Sequence, residues 1–251
     1  MTKLEQVTAV ENKVAHDLYT ALTTQTPLLM AEYTDLVTDY ESAYRVQRMF
    51  TELKKEHVTG YKVSLTSEET QRMFASDSPF YGVEVSSSWV RSGSVMKLND
   101  LMDPLLEVEL VFTAQEELLP SDDLETLCRK TTVSAGVELP DSRFAEWFPS
   151  LSKYLVVADS AVAGRVVYGE DTTSKVTVAD LSNVRATLVR DGELLAQGVS
   201  SEVLGNPLKS VQWLVNKLAG QGVSFPAGTR VSSGTFLLLG KIHPFICVAK
   251  V

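Results

Sequence analysis

The chain has 251 residues, of which 44% are hydrophobic and 22% charged, and a formal net charge of −9 at pH 7. This composition is typical of a folded protein, and the acidic balance argues against nucleic acid as a partner. No apolar run approaches the roughly 18 residues that a membrane span needs, and the N-terminus lacks the hydrophobic core of a signal peptide. Two cysteines are too few for a disulfide scaffold or a thiolate zinc site. We therefore expect a cytoplasmic protein without membrane association.

The first quarter of the chain is predicted to be helical. Apolar residues recur at helical spacing over residues 7–24 and again over residues 38–55, with charged residues on the other faces. Gly60 is interpreted as the end of this region, because glycine often follows the last turn of a helix. We therefore expect a single domain with a helical N-terminal region, residues 1–60, followed by a sheet-forming region, residues 61–251.

A short strand and a helix are predicted next. Residues 61–65 alternate between apolar and polar, which places Lys62 and Ser64 on the same face of a strand. Thr66 and Glu69 match a capping box at the start of a helix. The serine- and proline-containing segment 75–79 then ends this helix in a loop that carries Asp77.

The strand predicted over residues 105–112 carries the strongest chemical signal. Its apolar residues alternate with acids, so Glu107 and Glu109 lie side by side on one face. Adjacent carboxylates repel each other, and burying either alone is costly, whereas a hard cation such as Mg²⁺ or Mn²⁺ would turn repulsion into coordination. The simpler alternative is a solvent-exposed acidic face. A third acid, Glu138, lies between apolar neighbours at the end of another predicted strand and is a candidate for burial.

The second half of the chain predicts a hairpin, a helix and two further strands. The hairpin covers residues 184–199 and turns at Asp191-Gly192, a pair typical of type I′ turns. Asn206-Pro207 is a typical helix start, and strands are predicted over residues 229–239 and 244–251. Helices at both ends with strands between them indicate an α+β fold around a rolled, mixed or mostly antiparallel sheet.

Several common functional classes lack their motifs. The sequence contains no glycine-rich dinucleotide fingerprint or P-loop, so nucleotides are not expected as cofactors. Gly-x-Ser-x-Gly is also missing, which argues against a serine hydrolase. The three histidines show no metal-ligand spacing.

Seven short motifs resemble the 2-keto-4-pentenoate hydratase family of the fumarylacetoacetate hydrolase superfamily, in order and over nearly the whole chain. They are GYKVSLT at 60–66, DSPFYG at 77–82, PLLEVE at 104–109, ELPDSR at 138–143, ADS at 158–160, LGNPL at 204–208 and SSGT at 232–235. Each motif is short, and the specificity comes from their order and spacing. The resemblance implies a fold like the C-terminal domain of fumarylacetoacetate hydrolase, with residues 61–251 forming a metal-binding β-roll.

The resemblance also implies roles for individual residues. Glu107, Glu109 and Glu138 match three carboxylate ligands of a Mg²⁺ or Mn²⁺ ion, and Lys62 and Asp77 match the acid/base residues of the family.

Four further residues match positions that line the family's substrate pocket. They are Ser160, Ser233, Gly234 and Thr235.

The activity that the resemblance implies is a metal-dependent hydro-lyase reaction on a small 2-oxo or 2-hydroxydienoic acid. Water would add to a 2-hydroxy-2,4-dienoate and give a 4-hydroxy-2-oxo acid, with the metal stabilising the enolate that develops at C2. The same electron sink serves decarboxylation of a 4-oxalocrotonate-type acid, which stays open as an alternative. Acylpyruvate-type C–C hydrolysis and non-catalytic binding of an oxo acid rank lower. The resemblance further implies a homo-oligomer.

Overall fold

The computed structural model describes residues 7–172, 175–239 and 247–250. The α-helices of this part of the chain are α1 (Ala9–Thr24), α2 (Tyr40–Leu53), α3 (Glu68–Met73), α4 (Leu124–Lys130), α5 (Lys153–Ala158), α6 (Val178–Leu181) and α7 (Leu208–Ala219). The strands are β1 (Val58–Ser64), β2 (Phe80–Val85), β3 (Trp89–Arg91), β4 (Leu106–Ala114), β5 (Thr131–Leu139), β6 (Arg165–Tyr168), β7 (Arg185–Arg190), β8 (Glu193–Val199), β9 (Arg230–Ser232), β10 (Leu237–Leu239) and β11 (Cys247–Lys250).

The two long N-terminal helices are confirmed, each within two residues of the predicted bounds. Helix α1 begins with a capping box in which the Thr8 side chain accepts from the Glu11 N–H and Glu11 accepts from the Thr8 N–H. Glu11 is also buried against α2, where it binds the Arg45 guanidinium at 2.7 Å and the Ser42 hydroxyl at 2.8 Å. Polar contacts therefore join these helices as well as apolar packing.

Most strands belong to one mixed sheet of the order β2-β1-β9-β4-β5-β6-β3, with β10 pairing with β4. The β1–β9 and β3–β6 pairs are parallel, and the other pairs in this sheet are antiparallel. The sheet is rolled, because the Arg230 guanidinium on the interior strand β9 lies 5.6 Å from the Trp89 ring on the edge strand β3. The predicted α+β class and rolled mixed sheet are confirmed.

Two local expectations near β1 are wrong. Gly60 lies inside strand β1 and does not end a helix; the left-handed residue after α2 is Lys55, with φ +56°. The capping box of α3 is formed by Ser67 and Thr70, not by Thr66. Thr66 is buried, and its side chain packs against Gly234 in the turn at residues 233–235.

The second half of the chain follows its predicted elements closely. Strands β7 and β8 form the predicted hairpin, and Asp191 and Gly192 have φ of +50° and +88°, as a type I′ turn requires. Strand β11 pairs with β7; residues 244–246 and 251 of the strand predicted at the C-terminus lie outside the described residues. Helix α7 begins one residue after Pro207. Of the helices described, none has the length and apolar character of a membrane span.

Candidate metal centre and substrate pocket

Strands β4 and β5 bring three glutamates together on the inner face of the rolled sheet. Glu107 lies directly opposite Glu138 in the β4–β5 register, and Glu109 is two residues along β4 on the same face. One carboxylate oxygen from each of the three lies within 4.8 Å of the others. The geometry therefore allows all three to bind one ion.

The surroundings of these carboxylates fit a hard divalent cation. Glu109 and Glu138 are 1% and 0% exposed. Glu109 Oε2 accepts hydrogen bonds from Ser232 Oγ at 2.6 Å and from the Gly234 N–H at 2.9 Å, which orients the carboxylate. Glu109 Oε1 and Glu138 Oε2 have no hydrogen-bond donor among the described residues. Buried carboxylate oxygens without donors are costly, and a cation such as Mg²⁺ or Mn²⁺ would compensate them.

Burial and mutual repulsion raise the pKa values of the cluster. Burial raises the pKa of Glu107 to about 7, with a further contribution from the charge of Glu138 against the opposing effect of Lys62. Burial, followed by the charges of Glu138 and Glu107, holds the pKa of Glu109 well above its usual range. Burial is the larger cause for both Glu107 and Glu109. Protons and a metal ion therefore compete for the same oxygens.

Lys62 is the cation of this cluster. It lies in the middle of β1, is 1% exposed, and its Nζ forms an ion pair with Glu138 Oε1. Burial alone would lower the pKa of Lys62, but the charges of Glu138 and Glu107 outweigh this effect, and the pKa is raised.

A pocket of about 680 Å³ opens onto this cluster. Lys62 and Glu107 line its buried end, and Thr235, one of the predicted pocket residues, also lines it. Apolar side chains form slightly more than half of the wall, and the rest is polar. The apolar side chains on it are Val63, Leu65, Met73, Phe74, Phe80, Leu105, Pro140, Trp147, Phe148, Val156, Val162, Val199, Phe236 and Leu237. The arrangement can hold the polar end of a small molecule beside the carboxylates and its remaining part against an apolar surface.

The turn at residues 233–235 supports the carboxylate cluster. Gly234 has φ +107°, and a Cβ atom at this position would lie 2.3 Å from Thr66 Oγ1, so only glycine fits here. Its backbone N–H is thereby free to reach Glu109. Ser233 is fully buried, and its hydroxyl has no hydrogen-bond partner among the described residues. Of the three predicted residues in this turn, Thr235 lines the pocket, while Ser233 and Gly234 do not.

Ser160 begins a strained segment at the pocket wall. Ser160, Ala161 and Val162 have φ of +54°, +52° and +54°, a conformation unfavourable for residues with a Cβ and especially for valine. Gly82 permits it, because a Cβ at that position would lie 1.9 Å from the Ser160 carbonyl oxygen. Val162 lines the pocket, whereas Ser160 is buried beside it with an unpartnered hydroxyl among the described residues.

A buried ion pair, which the sequence analysis missed, holds this segment in place. The Arg143 guanidinium forms an ion pair with Asp159 and donates a hydrogen bond to the Ala163 carbonyl at 2.7 Å. The side chains of Arg143 and Asp159 are at most 2% exposed. Asp141 accepts from the backbone N–H of Met102 and of Asp103, which fixes the approach to β4. The motifs at 138–143 and 158–160 contain these residues, but only the three-dimensional pairing reveals their supporting role.

The structure does not bring Asp77 to the carboxylate cluster. Its side chain is exposed on the loop between α3 and β2, and it does not line the pocket. Neighbouring loop residues bond to the starts of α2 and α5: Ser76 bonds the Tyr40 hydroxyl at 2.8 Å, and Lys153 donates to the Ala75 carbonyl. An acid/base role for Asp77 stays a prediction and requires this loop to move toward the pocket.

Comparison with known proteins finds relatives named 4-oxalocrotonate decarboxylase and 2-keto-4-pentenoate hydratase. The chain matches no protein-family model. It is 31% identical over 214 residues to a 4-oxalocrotonate decarboxylase of Pseudomonas sp. strain CF600, covering 83% of this chain and 79% of that protein. It is 28% identical over 215 residues to a 2-keto-4-pentenoate hydratase of Burkholderia vietnamiensis, covering 84% and 79%. The 4-oxalocrotonate decarboxylase of Pseudomonas putida G7, solved with magnesium and adipate, shares the fold with a TM-score of 0.87 over 97% of this chain and 94% of that one, at 24% identity.

Proposed function

Because the chain belongs to the 2-keto-4-pentenoate hydratase and 4-oxalocrotonate decarboxylase family of the fumarylacetoacetate hydrolase superfamily, we propose that it is a divalent-metal-dependent hydratase. It adds water to a 2-hydroxy-2,4-dienoate and yields a 4-hydroxy-2-oxo acid. One observation carries the proposal: Glu107, Glu109 and Glu138 converge beside Lys62 at the buried end of a pocket with apolar walls.

The three glutamates would hold a divalent cation, for which we propose Mg²⁺ or Mn²⁺. Oxygen donors without sulfur or imidazole suit these ions, and the related decarboxylase was solved with magnesium. When bound, the cation supplies Lewis-acid stabilisation of the negative charge that develops on the substrate oxygen at C2. Ser232 and the Gly234 N–H keep the Glu109 carboxylate turned toward the other two.

Lys62 is the group that we assign to proton transfer at the buried end of the pocket. Its Nζ is held by Glu138 and can give up or receive a proton beside the substrate. The apolar part of the wall packs against the rest of the substrate. Asp77 is the second candidate. Its loop follows α3, and Thr70 and Met73 of α3 and Phe74 just after it line the pocket.

Decarboxylation of a 4-oxalocrotonate-type acid is the second candidate function. The relative with 31% identity carries that name, and loss of CO₂ from such an acid leaves the same dienolate that hydration starts from. The carboxylate cluster and Lys62 serve both reactions equally. Nothing in the cluster itself separates them.

The test is incubation of the metal-stripped protein with 2-hydroxypenta-2,4-dienoate and with 4-oxalocrotonate, each with Mg²⁺ and with EDTA. Dienol absorbance and CO₂ release are followed. We expect metal-dependent loss of the dienol without CO₂ from the first compound, and retained activity in Glu116→Gln, a control in an exposed turn after β4. Glu109→Gln should be inactive at the same metal concentration. CO₂ release from 4-oxalocrotonate with no hydration of the dienoate would favour the decarboxylase, and activity undiminished by EDTA would contradict both.

A further inference from the structure

We propose, resting on the hydratase function above, that the pocket is built for a monocarboxylate whose far end is apolar, and that it discriminates against dicarboxylates. The relatives of this chain include enzymes named for both kinds of substrate. The distribution of charge along the pocket favours the monocarboxylate substrates over the dicarboxylates.

Charged side chains on the pocket wall are few and unevenly placed. Among the lining residues in the described part of the chain, Lys62 is the only cation, and its Nζ is paired with Glu138. The lining acids are Glu107 at the buried end, and Glu69 and Glu202, both of which are exposed. Lys62 is buried and therefore lies at the inner end of the pocket. Glu69 and Glu202 are exposed and therefore lie at its mouth.

A substrate has to place its first carboxylate at the inner end, where the cation site and Lys62 lie. Its far end then points along the apolar wall toward the mouth. The Trp147 indole N–H on this wall is already donated to the Asp103 carbonyl at 2.9 Å, and the Ser67 and Thr70 hydroxyls bond each other at 3.0 Å. A second carboxylate would meet uncharged polar side chains such as Gln197 but no cation there among the described residues, so its lost hydration would be only partly compensated.

The acids at the mouth add repulsion to this loss of hydration. Glu69 belongs to α3 and Glu202 follows β8, so two separate elements supply negative charge to the mouth. Both side chains are exposed, and salt therefore weakens their effect on a second carboxylate. A methyl or other apolar group at the same place meets neither penalty and gains contact with the wall.

The charge distribution in the pocket also bears on whether the protein is a hydratase or a decarboxylase. A 4-oxalocrotonate-type substrate carries its second carboxylate at the far end, and that carboxylate is the group lost as CO₂. A pocket that disfavours a far carboxylate therefore favours hydration of alkyl-substituted 2-hydroxydienoates over decarboxylation. Glu69 and Glu202 are the specificity-determining residues in this account.

The test compares two six-carbon compounds that differ only at C6, with Mg²⁺ present. They are 2-hydroxyhexa-2,4-dienoate, which ends in a methyl group, and 2-hydroxyhexa-2,4-dienedioate, which ends in a carboxylate. We expect kcat/KM for total consumption to be at least about 10-fold higher for the methyl compound. Raising the salt concentration from about 0.05 M to about 0.5 M should narrow this ratio.

Two double variants and a control test whether Glu69 and Glu202 at the pocket mouth cause the preference for the monocarboxylate. Glu69→Gln combined with Glu202→Gln should reduce the ratio about 3-fold or more by raising kcat/KM for the dicarboxylate, and replacing both with lysine should reduce it further. Glu68→Gln, which removes an exposed acid next to Glu69 that does not line the pocket, should leave the ratio unchanged.

The contradicting results are distinct from those that would end the hydratase proposal. A wild-type protein that consumes the dicarboxylate as fast as the methyl compound would overturn the monocarboxylate preference while leaving a metal-dependent lyase in place. A ratio unchanged in the double glutamine variant would overturn the assignment to Glu69 and Glu202. Failure to consume either of these compounds and 2-hydroxypenta-2,4-dienoate would refute the hydratase itself, and the preference with it.

Discussion

Lys62 shows how far a single residue could be interpreted from the sequence. Alternation over residues 61–65 correctly places Lys62 and Ser64 on one face of a strand, but a lysine in such a pattern is usually solvated. Its burial follows from the ion pair with Glu138 on β5, some 76 positions along the chain, which no local pattern reveals. Only the resemblance to a family singled out this lysine.

Replacing Lys62 tests its role in proton transfer. Lys62→Met should keep the fold and the metal site while kcat falls roughly 10²–10⁴-fold, because methionine fills similar space but carries no proton. Lys62→Arg retains the charge but gives up no proton in proteins, and should be comparably slow. The measurement is kcat and KM for both variants over a range of pH.

The pattern of the two variants decides between a chemical and a binding role. A higher KM with unchanged kcat would show that Lys62 only steadies the substrate. Wild-type rates in both variants would rule out any role for Lys62 in the reaction.

Among the elements, the positions of β4 and α7 in the sequence were predicted well. The strands that pair with β4 were not predicted. The alternation in β4 correctly puts Glu107 and Glu109 on one face. Which strands flank β4 depends on contacts distant in sequence, so neither the register with Glu138 nor the approach of Ser232 could be predicted. The predicted Thr66 capping box is wrong because Ser67 caps α3 instead, while Thr66 is buried against Gly234.

Helix α7 provides a prediction at this scale. Its apolar stripe is buried throughout, and Leu214 is fully buried. Leu214→Ala should lower the free energy of unfolding by about 2–5 kcal/mol, through lost burial and the cavity left behind. Because α7 supplies no residue to the pocket wall, kcat of the folded enzyme should stay close to that of the wild type. Denaturant unfolding and kinetics on the same preparation check both, and a stable variant without turnover would show that α7 has a direct role.

At the scale of the whole molecule, the buried acids couple stability to pH and metal. Burial, followed by the charge of Glu138, raises the pKa of Glu84 to about 7, and Glu107 also has a pKa of about 7. Between pH 4.5 and 7 these groups bind more protons in the folded than in the unfolded chain, so the free energy of unfolding of the metal-free protein should fall as pH rises through this window. The raised pKa of Lys62 affects the free energy of unfolding only near and above pH 10, which is outside this pH window.

Unfolding at pH 5, 6 and 7, with and without Mg²⁺, measures this dependence. We expect the metal-free protein to lose at least about 1 kcal/mol between pH 5 and 7. Saturating metal should oppose the loss, because the cation binds the ionised carboxylates. Glu84→Gln, which removes one of the titrating groups outside the metal cluster, should flatten the metal-free profile. A metal-free protein that becomes more stable from pH 5 to 7 would contradict the electrostatic account.

The most direct measurement of the central claim is calorimetric titration of Mn²⁺ or Mg²⁺ into the metal-stripped protein. It compares the wild type with Glu107→Gln, Glu109→Gln and Glu138→Gln, and with Glu116→Gln as the surface control; circular dichroism verifies folding in each. The account predicts one ion per chain in the wild type and the control, with affinity at least about 10-fold weaker in every one of the three cluster variants. Wild-type affinity in any folded cluster variant, or no binding in the wild type, would contradict it.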